Sequence, residues 1–314
     1  VVFPFAGIGL KISSVYDLNF KPTRSPFRTA EFFVVRFLFI GFFLWAFEIN
    51  ACVGGTSIIK WQVHMLVNDI DRLIEGAEAQ VAPAWRKIED TVYVNQVRVL
   101  KLFQAHRVSP SHFAPGTGYG YNDLGRETLE AIYASVFGGE DALVRSHIIS
   151  GTHALSSCLF ALLKPGDLLV SALGAPYDTL ERIITGRNGL KARGIGYREN
   201  PVGSDGGCDL AHLRGLLELS PRMVLLQRSR GYNGLRRSLT IAELADVIQV
   251  VKRVSPSTLV LVDNCYGEFV ETVEPCHVGA DLTAGSLIKN PGGGLAAGGG
   301  YVVGKAGLVE AVAD

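Results

Sequence analysis

Short, continuous apolar runs alternate with segments of helical periodicity over the second half of the chain. Runs without polar alternation predict buried strands at Leu168–Val170, Met223–Leu226, Leu259–Val262 and Tyr301–Val303. Apolar residues at helical spacing predict helices between them at Ala154–Leu163, Asp178–Ile184, Leu210–Leu219 and Ile241–Val254. Strands that are apolar on both faces and alternate with helices indicate an α/β fold with a mostly parallel sheet between helices.

A helical arm is predicted before this region, over residues 68–110. Apolar positions recur at helical spacing over Ile70–Val81 and again over Ile88–Phe103, and Pro83 predicts a break between two separate helices. A loop rich in Gly and Pro follows. The large domain is then expected over residues 111–314, beginning with a helix over Glu127–Phe137 that Gly138 ends.

Residues 1–67 do not share this pattern. The run Phe32–Phe47 is apolar except for Arg36, but its 16 residues are fewer than the roughly 20 that a membrane-spanning helix needs. Basic residues precede it, as in a targeting segment. We therefore expect a targeting sequence, a membrane anchor, a gene-model artefact or folded structure here. The protein is expected to be cytoplasmic or organellar, with membrane contact only if Phe32–Phe47 is genuine.

Composition narrows the possible functions. Hydrophobic residues make up 48% of the 314 residues, which is enough for a sizeable core. The formal net charge is zero, whereas surfaces that bind nucleic acid are usually strongly basic, so no nucleic-acid partner is expected. The five cysteines are scattered without a C-x-x-C pair, which predicts neither a disulfide framework nor a metal site.

Three places at the ends of predicted strands and the start of a helix could carry chemistry. Ser150-Gly151-Thr152 precedes a helix, where backbone N–H groups favour an anion, although Ser150 or Thr152 could simply cap the helix. Asp263 directly follows a buried strand and needs a cation or a donor unless it is a turn residue. Lys289 lies between apolar residues and glycines. It is either an ordinary turn lysine or a buried nucleophile with a lowered pKa.

Taken together, an anion site, a strand-end carboxylate and a lysine are the groups needed to hold pyridoxal phosphate. The helix start would bind the phosphate, Asp263 would keep the pyridine nitrogen protonated, and Lys289 would bind the cofactor covalently.

Five segments carry a resemblance to a known family: HRVSPSHFAPGTGYGYNDLGRETLE, SGTHA, GAPYDTLE, VDNCYGEF and GSLIKNPGGGLAAGGGYVVG. From about Asn68 to Asp314 the chain resembles the cystathionine β-lyase/methionine γ-lyase-like family, the aluminium resistance proteins. These are pyridoxal-phosphate enzymes of the aspartate-aminotransferase type (fold type I). The resemblance implies a large domain with a seven-stranded, mostly parallel sheet. It also implies a smaller C-terminal domain, which we expect to be missing here.

The resemblance also implies roles for particular residues. Lys289 matches the lysine that bonds to the cofactor, and Asp263 matches the partner of the ring nitrogen. Ser150, Gly151 and Thr152 match the phosphate-binding turn, with Ser286 as a further phosphate ligand. In relatives the usual residue before the lysine is Thr, but here it is Ile288, so one hydroxyl contact to the phosphate is in doubt.

Other matches lie at the rim of the expected site. Tyr177 resembles the tyrosine that stacks on the cofactor ring and is a candidate acid or base. Tyr121, for which Tyr119 could substitute, and Arg126 resemble a loop that reaches the phosphate of a neighbouring subunit, which implies a homodimer or homotetramer. His153 could pack on the ring or face water.

The resemblance implies a carbon–sulfur lyase that eliminates a leaving group from a sulfur-containing amino acid. The arginine that binds the substrate carboxylate is expected in the missing domain, and Arg228 and Arg230 are other possible contacts. Alternatives are an aminotransferase or racemase of the same fold, a catalytically impaired fragment, and a non-catalytic, membrane-anchored protein. A dinucleotide-binding protein that uses Gly116-Thr117-Gly118 is a weaker alternative, because no strand precedes these residues and the glycine fingerprint is incomplete.

Overall fold

The computed structural model describes residues 56–116, 122–145 and 147–314. They divide between Gln80 and Val81 into two compact units, and every described strand lies in the second unit. Most of the segment 1–67, including Phe32–Phe47, lies outside the described residues. Among the helices that are described, none is both long enough and apolar enough to cross a membrane.

A seven-stranded sheet forms the centre of the second unit. Its strands are β1 (Asp141–Leu143), β2 (Leu168–Ser171), β3 (Gly196–Glu199), β4 (Met223–Gln227), β5 (Leu259–Asp263), β6 (Leu282–Ser286) and β7 (Gly300–Gly304). They are arranged in the order β1-β7-β6-β5-β4-β2-β3. The neighbours from β6 to β3 are parallel, and β7 is antiparallel to both β1 and β6. The expected mostly parallel, seven-stranded sheet is confirmed.

Three of these strands have no strong pattern in the sequence. The edge strand β3 reads GYRE and is largely exposed, and β1 has only three residues. Strand β6 reads LTAGS, and all five residues are buried although most are small or polar. Small residues suit β6 because Gly151 packs against Ser286, and the side chains of Tyr301 and Glu268 pack against Gly285. The burial of β6 is therefore not visible as a run of large apolar residues.

Among the described residues, seven α-helices surround or precede the sheet: α1 (Thr56–Ala105), α2 (Leu124–Phe137), α3 (Gly151–Leu162), α4 (Asp178–Thr185), α5 (Leu210–Leu217), α6 (Ile241–Val254) and α7 (Ala306–Ala313). Helix α6 has the predicted bounds and begins with a capping box of Thr240 and Glu243. Gly138 ends α2 at φ 75°, a left-handed conformation that favours glycine.

The predicted break at Pro83 is wrong, because α1 is continuous through this residue. Proline removes one backbone hydrogen bond, but its fixed φ near −65° is itself helical. Pro83 is exposed. Water can therefore solvate the carbonyl group that loses its partner, and the remaining hydrogen bonds of a long helix outweigh the loss.

The core lies on both faces of the sheet, as expected for a parallel sheet. Alternate residues of β4 divide between the two sides: Met223 and Leu225 pack with α3, α4 and α7, and Val224 and Leu226 pack with α5 and α6. A third apolar cluster joins α2 to β7. This packing leaves the carboxyl ends of the parallel strands facing the start of α3.

Candidate functional site

The carboxyl ends of three neighbouring strands form the floor of the candidate site. Gln227 at the end of β4 is in register with Asp263 at the end of β5, and Asp263 is in register with Ala284 of β6. Ser286 ends β6 and is also buried. In open α/β sheets this edge is where ligands bind. The sheet therefore brings Asp263 and Ser286 to the same edge.

Asp263 is a buried carboxylate that lacks a cationic partner. It is 2% exposed, and no described lysine, arginine or histidine forms an ion pair with it. Its Oδ1 accepts one hydrogen bond from the backbone N–H of Cys265, at 3.1 Å. Burial raises the pKa of Asp263 to about 6, although hydrogen bonds from Cys265 and the charge of Lys289 lower it. A cation placed next to this carboxylate would keep it ionised.

The start of α3 lies directly against the end of β6. A Cβ atom on Gly151 would lie 2.9 Å from Ser286 Cβ and 3.3 Å from Cys265 Sγ, so only glycine allows this approach. Ser150 caps the helix by accepting a hydrogen bond from the N–H of His153, at 3.1 Å. The N–H groups of Gly151 and Thr152 have no acceptor among the described residues. The capping and anion-binding interpretations are therefore compatible.

Tyr177 reaches this helix from the loop after β2. Its hydroxyl forms a 2.9 Å hydrogen bond with Thr152 Oγ1, and its backbone N–H donates to Gln227 Oε1 at 3.2 Å. Burial, together with the nearby charge of Asp263, raises the pKa of Tyr177 well above its ordinary value. Tyr177 is therefore protonated at neutral pH.

Lys289 is half-buried at the beginning of the turn that follows β6. Its ammonium donates a short hydrogen bond to the hydroxyl of Tyr266 and lies 3.9 Å from the centre of that ring. Burial lowers the pKa of Lys289, but the hydrogen bond and charge of Tyr266 outweigh this effect and raise it above the usual value. The prediction of a buried lysine with a lowered pKa is wrong for the cofactor-free chain.

Other candidate residues lie away from these groups or have different partners. Tyr121 and Tyr119 lie outside the described residues. Arg126 lies in the first turn of α2, where it forms ion pairs with Glu127 and Glu130. His153 is exposed, and its Nδ1 accepts a hydrogen bond from the N–H of Ile149.

Arg228 was predicted as a possible substrate contact, but it is buried and its guanidinium is engaged inside the protein. It donates to Asn264 Oδ1, to the Gly267 carbonyl and to Glu271, at 2.9, 2.7 and 2.7 Å. A side chain held in this way cannot reach a substrate, so this prediction is wrong. Arg230 is exposed and remains available.

The sequence patterns did not single out three residues of the site: Tyr266, Gln227 and Asn290. Tyr266 follows Asp263 by three residues in VDNCYGEF, and Asn290 follows Lys289. A polar residue that closely follows a strand-end aspartate or a candidate lysine in the sequence is a signal that could have indicated Tyr266 and Asn290. Gln227 has a comparable signal because it is polar and ends the apolar strand β4.

These residues fit pyridoxal phosphate on observations that do not depend on resemblance. The unpaired N–H groups next to Gly151 suit a phosphate, and the Gly151–Ser286 approach makes a cradle that a larger side chain would fill. Asp263 offers a buried carboxylate to a protonated ring nitrogen. Lys289 forms no ion pair with a described carboxylate, so its amine can reach a cofactor.

Known proteins are similar to this chain over most of its length. The profile of the methionine gamma-lyase family matches residues 70–314, well over half of the chain. The chain belongs to the methionine gamma-lyase family. The resemblance that the sequence motifs carry is thereby confirmed, and the family match begins close to the predicted boundary of the extension at residue 67.

Individual members of the family cover different shares of this chain. A Listeria monocytogenes protein proposed to be a cystathionine beta-lyase involved in aluminium resistance has 48% sequence identity and a TM-score of 0.75, and the match covers 77% of this chain and 62% of that one. L-methionine gamma-lyase of Pseudomonas putida is 29% identical over 202 residues, which cover 62% of this chain and 45% of that enzyme. The chain thus spans less than two thirds of these relatives.

A more distant structure supports the fold alone. The pyridoxal-5'-phosphate dependent protein YhfS from Escherichia coli is 24% identical with a TM-score of 0.54, over 71% of this chain and 57% of that one. Together with the observed sheet, this similarity confirms the expected aspartate-aminotransferase-like fold.

Proposed function

We propose that this chain carries the cofactor site of a pyridoxal-phosphate-dependent carbon–sulfur lyase that acts on a sulfur-containing amino acid. The observation that carries the proposal is the convergence of Asp263, the start of α3 and Lys289 at one edge of the sheet. Membership of the methionine gamma-lyase family supports the lyase class.

Each residue has one role in binding. The N–H groups of Gly151 and Thr152 and the hydroxyls of Ser150 and Ser286 would hold the phosphate. The Asp263 carboxylate would hold a proton on the ring nitrogen, and Tyr177 would cover the ring. Pyridoxal phosphate, when bound, supplies an aldehyde that bonds to amines and a ring that withdraws electrons from the substrate.

Two side chains would move protons during the elimination. The Lys289 amine would accept the proton from the substrate Cα after the substrate amine has displaced it. Tyr177 is protonated at neutral pH and would donate its hydroxyl proton to the leaving sulfur. The hydrogen bond between Thr152 and Tyr177 keeps the Tyr177 hydroxyl next to the start of α3.

The decisive test is the visible absorbance of the purified protein after incubation with pyridoxal phosphate. We expect a new band, fixed on the Lys289 peptide by borohydride reduction and identified by mass spectrometry. Lys289→Ala should lose the band, whereas Lys191→Ala, which removes an exposed lysine, should keep it. An unchanged band in Lys289→Ala would overturn the cofactor assignment.

Product analysis separates the lyase from an aminotransferase, which the same cofactor site could also support. A lyase releases a 2-oxo acid, ammonia and a thiol from a sulfur-containing amino acid, whereas an aminotransferase forms a second amino acid. We expect the thiol. Formation of an amino acid from an added 2-oxo acid would favour the alternative.

We also propose that the active form is a homodimer or homotetramer in which Tyr121 and Arg126 approach the phosphate of a neighbouring subunit. Arg126 supports this role because it lies on the first turn of α2, five residues after Tyr121 in the sequence. Sedimentation of the purified chain tests the assembly. A monomer that binds the cofactor with full affinity would contradict it.

A further inference from the structure

The side chain of Asn290 connects two loops at the edge of the candidate site. Its Nδ2 donates to the carbonyl of Tyr266 at 3.1 Å and to the carbonyl of Glu268 at 2.9 Å. An asparagine amide has two N–H donors, and both are used here. Asn290 is exposed, so burial does not require these bonds. The residue next to Lys289 is thus tied to the loop that follows β5.

That loop, Asn264–Phe269, has an unfavourable backbone conformation. Tyr266 and Phe269 have φ angles of 68° and 61°, in the left-handed region that large L-residues rarely adopt. Residues in this conformation persist only where the surrounding structure holds them. The Asn264–Phe269 loop must therefore be restrained from outside.

The restraints divide between the two ends of the loop. Asn95 of α1 donates to the Phe269 carbonyl at 3.0 Å, and the N–H of Phe269 donates to Glu274 at 2.8 Å. Arg228 donates to the carbonyl of Gly267. Among the described residues, Asn290 is the group that hydrogen bonds to the carbonyl of Tyr266 itself. Loss of the Asn290 side chain would remove the hydrogen bond to Tyr266 and leave the hydrogen bonds of Phe269 in place.

We propose that Asn290 is a positioning residue that keeps the Tyr266 hydroxyl against the Lys289 amine. This inference rests on the role of Lys289 in the proposed function. The three residues form a closed arrangement: Lys289 and Asn290 are adjacent in the chain, Asn290 holds the Tyr266 backbone, and the Tyr266 side chain returns to Lys289. Asn290 thereby fixes where the amine is held whenever it is not bonded to the cofactor.

A measurable consequence concerns the protonation of Lys289 in the cofactor-free protein. The Tyr266 hydrogen bond favours the charged amine, whereas burial favours the neutral one. Without Asn290, Tyr266 can relax out of its left-handed conformation, and the charged amine loses its partner. The neutral, reactive amine then forms at lower pH, so Lys289 should react faster at a fixed pH near 8.

The experiment measures the labelling of Lys289 by trinitrobenzenesulfonate in the cofactor-free protein, as a function of pH, by mass spectrometry of its peptide. Asn290→Ala and Asn290→Leu should raise the labelling rate at pH 8 about three- to tenfold. Asn290→Leu keeps a side chain of similar size but has no hydrogen-bond donor. Asn188→Ala, at an exposed asparagine on another loop, should leave the rate unchanged.

A double-mutant cycle with Tyr266→Phe decides whether Asn290 acts through Tyr266. We expect Tyr266→Phe alone to raise the rate and Asn290→Ala to add nothing in that background. An additive effect, or an unchanged rate in both Asn290 variants, would overturn the proposal. Should Asn290→Ala not fold, Asn290→Ser replaces it in the cycle.

Different results would overturn the proposed function and the proposed role of Asn290. Absence of a cofactor band that depends on Lys289 would overturn the proposed function, but the labelling cycle would still be readable because it uses no cofactor. A normal cofactor band with additive labelling effects would overturn the role of Asn290 alone.

Discussion

Gly151, the first residue of α3, lies so close to Ser286, the last residue of β6, that a single added methyl group would lie 2.9 Å from the Ser286 Cβ. This approach places the N–H groups at the start of the helix beside the Ser286 hydroxyl. Backbone donors and a hydroxyl from two distant segments can then face one phosphate. The geometry of the candidate anion site thus depends on the absence of one side chain.

Gly151→Ala is expected to damage the phosphate site and the packing together. The new methyl group must push α3 away from β6, and overpacking of this kind costs about 1–3 kcal/mol. We expect a lower free energy of unfolding in urea and at least about tenfold weaker binding of pyridoxal phosphate. Gly215→Ala is the matched control, because a Cβ on Gly215 in α5 meets nothing within 4 Å. Equal cofactor affinity in the two variants would contradict the proposed phosphate cradle.

Tyr177→Phe tests the proton donor. The ring remains, so cofactor binding should change little, but the hydroxyl and its hydrogen bond to Thr152 are lost. Removing a general acid typically costs about a hundredfold or more, so kcat/KM for elimination should fall by that order. Measurement uses thiol release together with the cofactor absorbance. If Tyr177→Phe retained full turnover, another group would have to protonate the leaving sulfur.

Arg228→Met is expected to unfold the protein more easily. Glu274 is completely buried and lies 3.7 Å from the Arg228 guanidinium, so the variant leaves a buried carboxylate without its cation. Breaking such a pair typically costs about 3–5 kcal/mol. Urea unfolding measures this loss, and Arg230→Ala, at an exposed neighbouring arginine, should change stability by less than about 0.5 kcal/mol. A normally stable Arg228→Met variant with a raised KM would restore the substrate-contact interpretation.

Glu268→Gln is expected to change the pH dependence of stability. Glu268 is 1% exposed, and its Oε1 accepts a hydrogen bond from Tyr301. Its Oε2 has no hydrogen-bond partner in the part of the chain that the structure describes. Burial raises the pKa of Glu268 from 4.5 to about 8, despite the hydrogen bond from Tyr301. At a pH between these two values, Glu268 is therefore protonated in the folded protein and ionised in the unfolded chain.

The direction in which stability changes with pH follows from this difference in protonation. Between pH 4.5 and about 8 the unfolded chain binds fewer protons at this site, so the stability of the native protein falls as pH rises, and the fall is complete above about 8. Gln cannot ionise. The melting temperature of Glu268→Gln relative to the native protein should therefore rise from pH 5 to 8 and then level off. Glu218→Gln, at an exposed glutamate, is the control, and a constant difference between Glu268→Gln and the native protein would show that Glu268 does not titrate in this range.

Much of the fold could be predicted because its central strands are apolar on both faces. Strands β2, β4, β5 and β7 coincide with continuous apolar runs, and α6 has the predicted bounds because its cap is local. Strand β6 could not be predicted in this way. It is buried by close contacts with Gly151, Tyr301 and Glu268, and its small residues do not reveal that burial.

The sequence by itself determined which residues could carry the chemistry. Asp263 ends an apolar strand, Ser150-Gly151-Thr152 begins a helix, and Lys289 follows a segment with small residues. All three are local features, and the family resemblance rests on the same segments. Only the tertiary structure decided their partners: Gly151 against Ser286, Lys289 against Tyr266, and Arg228 inside the protein rather than toward a substrate. These contacts join segments far apart in the chain, so they depend on strand order and register, which no local pattern specifies.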